Sequence, residues 1–304
     1  MNNRLRRAAI SAIIGVTMTT ASLSAEELYV AKPFTAEGSF TPEIEGPAVD
    51  RAGNIYAVSF ARKPTIGRIT PAGVGEVFIE FTNGSLANGI RFDRAGIMYV
   101  ADYTRHNVLR IDPKTRAVSV YGHSDEMHQP NDVAITADGI VFASDPDWDH
   151  GTGQVWKIGH DQKLVRIAEN MGTANGIEPS PDGKKLYVNE TVQRKVWSFT
   201  LHPDGSISNK TLLIEFPDFG LDGMRCDIDG NLYIARFGKG TVVKVSPRGE
   251  VLQEVNVLGS NPTNVCFGGP DGRTCYVTES ARGRLLQFRV EKPGVEWQRW
   301  HQGH

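Results

Sequence analysis

Six oxygen-bearing residues recur at one offset in this chain. Glu45, Asn88, Asn131, Asn175, Asp222 and Asn264 each stand eight residues before a turn glycine. Those glycines are Gly53, Gly96, Gly139, Gly183, Gly230 and Gly272, spaced 43, 43, 44, 47 and 42 residues apart. Carboxylate and amide oxygens without clustered His or Cys form a donor set for a hard divalent cation, Ca²⁺ or Mg²⁺ first, with Mn²⁺ or Zn²⁺ tolerated. Glu45 and Asp222 add two negative charges to an otherwise neutral amide set, which a dication balances. Such a set in a partly dry channel is costly unless something satisfies it.

The repeat also dictates what positions these residues. Phrases such as "NGIRFDRAGIMYVAD" from Asn88 and "NGIEPSPDGKKLYVNE" from Asn175 read as a polar start, an apolar strand, a Gly turn and an aromatic-led return strand. A third β segment follows in each unit ("IGRIT", "NVLRID", "QVWKI", "KVWSFTL", "TVVKVS", "RLLQFRV"). Then comes a fourth ("EVFIEF", "AVSVYG", "LVRIAE", "TLLIEF", "VLQEVNV", "EWQRW"). Four short strands per repeat of this length predict an all-β, six-bladed β-propeller of antiparallel blades. The propeller forms one domain over residues 26–304. Either "ELYVAKPF" or the terminal "VEWQRW" can supply the strand that closes blade six.

In a propeller the first strands line the central channel, so the six residues form a ring at one level. The returning strands bring a second set to the same end: Ser59, Asp102, Asp145, Glu190, Arg236 and Glu279, each three residues after the strand's aromatic. Asn88, Asn264, Asp145 and Arg236 are therefore expected to line the pocket or support it. The loop "SDPDWDHGTG" in blade three is longer than its counterparts in blades two, four, five and six. It can bring Asp147, Trp148 or His150 over the mouth.

Composition narrows the function classes. A formal net charge of -2 gives no electrostatic case for nucleic acid or an anionic membrane. The first 25 residues have a basic start (Arg4, Arg6, Arg7), a short apolar stretch and small residues up to Ala25. This is the pattern of a cleavable signal peptide, with a periplasmic or secreted mature chain, soluble and monomeric. The three cysteines, Cys226, Cys266 and Cys275, form no C-x-x-C pair and read as buried small side chains. Cys266 and Cys275 flank a turn symmetrically, and the sequence leaves a bridge between them open. No G-x-S-x-G or H-E-x-x-H occurs, and His128 reads as a surface-loop residue.

The phrases "EGPAVD", "PNDVAI", "NGIEPSPDGKKLYV", "LDGMRCDIDGNLYIA" and "CFGGPDGRTCYVT" resemble the SMP-30/gluconolactonase family of six-bladed calcium-dependent lactonases, from about Glu45 to Glu279. The resemblance implies metal ligands at Glu45, Asn175 and Asp222, with Asn131 on metal or substrate. Where animal members hold substrate with an Arg, this chain has Gln129. The implied chemistry is hydrolysis of a small-molecule lactone, with a cation at the carbonyl oxygen, Asp222 as general base and Asn131 orienting the substrate. Two other readings share the scaffold: a non-catalytic binding propeller of the NHL or YVTN type, and an organophosphate-hydrolysing or strictosidine-synthase-like relative.

Overall fold

The computed structural model describes residues 27–301, and the signal-peptide reading lies outside them. Within this span the chain forms six four-stranded antiparallel sheets, the blades of a six-bladed propeller. The innermost strands are Ala48–Val49, Ala87–Phe92, Val133–Ile135, Ala174–Pro179, Met224–Cys226 and Pro262–Gly268. Each packs beside the next, and the first packs beside the last, so they enclose a channel. All six turn glycines adopt positive φ, the left-handed backbone that a side chain disfavours. This is why glycine marks every repeat.

The core is divided among the blades. Alternating Val, Ile, Leu, Tyr and Phe side chains of adjacent sheets interlock, as in the cluster of Tyr56, Phe78, Phe92, Leu109 and Ile111 between blades one and two.

The ring closes through the N-terminal segment. Lys32 and Pro33 pair antiparallel with Gln287 and Leu286 of blade six. A proline is tolerated there because this is an edge strand that need not donate outward. The other candidate, "EWQRW", is not a strand. It belongs to the helix Val295–His301 (α1), with Glu296 in its first turn and Arg299 and His301 in its last, matching the helix dipole. With the blade-six edge already paired, this amphipathic segment instead covers the turn end of the channel. Trp297 Nε1 donates to Gly269 O, Trp300 Nε1 to Asp93 O and Arg299 Nη1 to Ile135 O, tying α1 to blades six, two and three.

Cys266 and Cys275 form no bridge. Cys275 pairs with Phe267 and Cys266 with Tyr276, so the two thiols point to opposite faces of the sheet.

Candidate metal and active site

The ring residues sit where the chain enters each innermost strand. In blades two and four the strand pairing jumps from Ala87 to Ile90 and from Ala174 to Ile177, a bulge that spans the Asn-Gly pair. A third irregularity falls between Pro262 and Asn264 in blade six. Bulges re-aim side chains, and here they fall at ring asparagines. The glycine that follows has its own cause. A Cβ on Gly89 would stand 2.3 Å from Asp132 Oδ1, and one on Gly223 would overlap the Asn264 amide at 1.8 Å. In blades one, two, four and five this glycine thus makes room for the next blade.

Backbone bonds to the return strand hold the ring in place. Val58 N donates to Glu45 O at 3.0 Å, Asn131 N to Ser144 O at 2.8 Å and Asp222 N to Ala235 O at 2.9 Å. Glu45, Asn88, Asn131, Asn175 and Asp222 all line one cavity of about 770 Å³ at the mouth of the channel.

Electrostatics within this group favour a cation. Burial, then the nearby Asp132 charge, pushes the Glu45 carboxyl up to about 7. Burial, then the adjoining Glu45 charge, raises Asp222 well above the usual carboxylate range. Burial and each other's charge disfavour ionisation of both carboxyls, and a positive charge between them would offset this. Asn175 Nδ2 donates to Thr191 Oγ1 at 3.0 Å, while Asn175 Oδ1 is buried with no hydrogen-bond partner. A buried amide oxygen left unpaired beside two carboxylates fits an oxygen-ligated dication. Among the described residues no three His, Cys, Asp or Glu side chains converge in metal-holding geometry; the convergence is two carboxylates with amide oxygens.

A family model for the SMP-30/Gluconolactonase/LRE-like region matches residues 44–281. The chain belongs to this family. Gluconolactonase of Zymomonas mobilis is 25% identical over 302 aligned residues, covering 88% of this chain and 84% of the relative. The 6-deoxy-6-sulfogluconolactonase of Pseudomonas putida is 32% identical over 148 residues, which are 48% of this chain and 51% of that protein. In fold, the chain matches the calcium-binding protein regucalcin from Agrobacterium tumefaciens with a TM-score of 0.76, at 18% identity, over 88% of this chain and 95% of that one.

Within this SMP-30/gluconolactonase-family channel, four of the expected residues, Gln129, Asp145, Arg236 and Asn264, do not line the cavity. Asp145 accepts from His128 N, Gln129 N and Trp156 Nε1, so it fastens the loop before Asn131. Gln129 is held there through its backbone and is not among the residues lining the cavity. Arg236 donates to Asp218 and lies over the Phe216 ring. Asn264 is fully buried beneath Glu45, to which its Nδ2 donates at 3.1 Å. Asp102 and Glu279, at the ends of their return strands, likewise accept from mouth-loop amides such as Leu86 N and Ala281 N. From the long blade-three loop only Trp148 reaches the cavity; Asp147 is spent on the amides of Asp149 and His150.

One buried group was missed. Asp132 follows a ring asparagine at the offset where four other blades carry Gly46, Gly89, Gly176 and Gly223, and that departure was its signal. Asp132 accepts from Arg91 Nη1 and Arg225 Nη1, each at 3.2 Å. Arg91 also meets Glu178 at 3.2 Å and Glu296 of α1 at 2.9 Å. A column of buried charges therefore runs from beneath the ring to the helix that closes the channel.

Proposed function

We propose that the protein is a divalent-metal-dependent lactonase that opens a neutral cyclic ester at the channel mouth. The observation that carries this reading is the convergence of Glu45, Asn175 and Asp222 on one cavity, with Asn175 Oδ1 buried and unpartnered. Family membership and the gluconolactonase relatives support it. Glu45, Asn175 and Asp222 hold the cation, Ca²⁺ by preference, with Asn131 beside them; Mg²⁺, Mn²⁺ or Zn²⁺ also suit the donor set. When bound, the cation supplies positive charge that polarises the lactone carbonyl and keeps both carboxylates ionised.

The chain's own residues do the rest. Asp222 accepts a proton from the attacking water as its oxygen bonds to the carbonyl carbon. The ring C–O bond then breaks, and the departing oxygen takes that proton, leaving a hydroxy acid. Asn131 and Asn88, on neighbouring blades, offer amide N–H groups to the substrate's oxygens. Lys63, the cation among the lining residues, is paired with Glu43 at 2.7 Å, so the wall suits an uncharged substrate. Residues 1–25 direct the chain to the periplasm or outside the cell, where it acts as a soluble monomer.

Acid release from a panel of γ- and δ-lactones, before and after chelation, tests the reading. Turnover lost on chelation, restored by Ca²⁺ and absent in Asp222→Ala is expected. Turnover that survives exhaustive chelation contradicts it.

A further inference from the structure

The exposed aromatic side chains among the described residues gather in one place. Trp148, Phe219 and Phe237 are 39%, 48% and 38% exposed, and all three stand on mouth-side loops of blades three to five. Trp148 and Phe237 line the cavity itself, and Tyr103 joins them from blade two. Phe219 continues the surface outward, its ring 3.2 Å from where a Cβ on Gly238 would sit, next to Phe237. The facing side of the mouth carries the Glu43–Lys63 ion pair. The opening is apolar on one flank and charged on the other.

An exposed aromatic flank of this kind marks a binding surface. Its continuity with the cavity identifies the occupant as the substrate. The cavity, at about 770 Å³, is far larger than a lactone ring and lies in the range that holds a ligand of drug size. Several polar side chains on its wall are already engaged. Thr191 Oγ1 accepts from Asn175, and Thr263 Oγ1 donates to Ile44 O at 2.8 Å. Along the aromatic flank a hydroxylated substituent would find few partners, whereas an apolar substituent needs none.

Building on the lactonase reading, we propose that the substrate is a lactone bearing an apolar chain. Its ring lies at Glu45, Asn175 and Asp222, and its chain runs outward over Tyr103, Trp148 and Phe237. Burial of the chain contributes directly to kcat/KM.

The test compares δ-valerolactone, δ-octalactone, δ-decalactone and D-glucono-δ-lactone on the mature, Ca²⁺-loaded protein. The expected result is a kcat/KM that rises with chain length, by up to about fourfold per methylene fully buried, with the alkyl lactones ahead of the hydroxylated one. In Trp148→Ala and Phe237→Ala the decalactone-to-valerolactone ratio of kcat/KM falls about tenfold, mostly through KM. A flat dependence on chain length, or preference for the hydroxylated ring, overturns this inference and leaves the lactonase reading standing. Failure to open any lactone contradicts both.

Discussion

Asn264 Nδ2 stands 3.1 Å from Glu45 Oε2 and 3.4 Å from Asp132 Oδ2, while its Oδ1 accepts from Arg225 Nη1 at 3.1 Å. This amide joins the mouth of the channel to the buried ionic column beneath it. The charge at Glu45 is therefore held from below by a residue that does not line the cavity.

Replacing Asn264 with Ala removes a donor to two buried carboxylates and an acceptor for one buried guanidinium. The expected loss is about 1–3 kcal/mol of stability, read from denaturant unfolding of the metal-free protein. Metal affinity falls as well, because Glu45 is freed to turn from the cavity.

Thr191 orients Asn175 through the 3.0 Å bond to its Nδ2, leaving Oδ1 buried and without a hydrogen-bond partner. Thr191→Val preserves the shape and removes the acceptor. Metal affinity is expected to fall by about 10- to 100-fold, the usual effect of deleting a partner behind a ligand. Calorimetric titration with Ca²⁺ measures it, and an unchanged affinity would separate Thr191 from the site.

The buried carboxyls make stability depend on pH. Burial raises Glu45 to about 7 and Asp132 to about 6, and it also raises Glu178 to about 7. Unfolded, these groups titrate near 4. Between those values the folded chain binds more protons than the unfolded chain. Their stabilising contribution is present below pH 4 and is lost as pH rises toward 7. For these groups, the metal-free protein loses melting temperature over that interval. Ca²⁺ competes with the same protons, so the stabilisation it adds is larger at pH 8 than at pH 5.5. Melting curves with and without Ca²⁺ at the two pH values check both signs.

Arg91 is wholly buried among Asp132, Glu178 and Glu296. Arg91→Met removes the cation that Asp132, Glu178 and Glu296 share, leaving Asp132 with Arg225 alone. The expected cost is about 3–5 kcal/mol, or outright failure to fold. Glu296→Gln, which retains a polar partner for Arg91, is expected to cost less. Equal losses from the two variants would contradict the account of the column.

The six turn glycines made the propeller legible, because each repeat needs a left-handed residue at the same turn. The ring was legible for a related reason: the strand entry admits one residue type, oxygen-bearing, in all six blades. Asp145 and Arg236 were harder to place. Sequence offset puts them at the mouth, but mouth loops expose backbone amides and carbonyls that need partners, and these charges serve that need. The terminal "VEWQRW" misled because it alternates like a strand. The Pro293-Gly294 break before it and the acidic-to-basic order within it were the helix signals. Pairing of Lys32–Pro33 with blade six had already closed the edge it would have joined. Asp132 stood out only against the glycines of its neighbours, and its partners Arg91 and Arg225 come from other blades, which no local pattern reveals.

The claim that Glu45, Asn175 and Asp222 hold a divalent cation is tested most directly by anomalous diffraction from crystals grown with Mn²⁺. The account predicts one strong peak at the channel mouth, bounded by the Glu45 and Asp222 carboxylates and Asn175 Oδ1, and its loss in Asn175→Ala. A mouth without a peak, or a peak that persists unchanged in that variant, would contradict it.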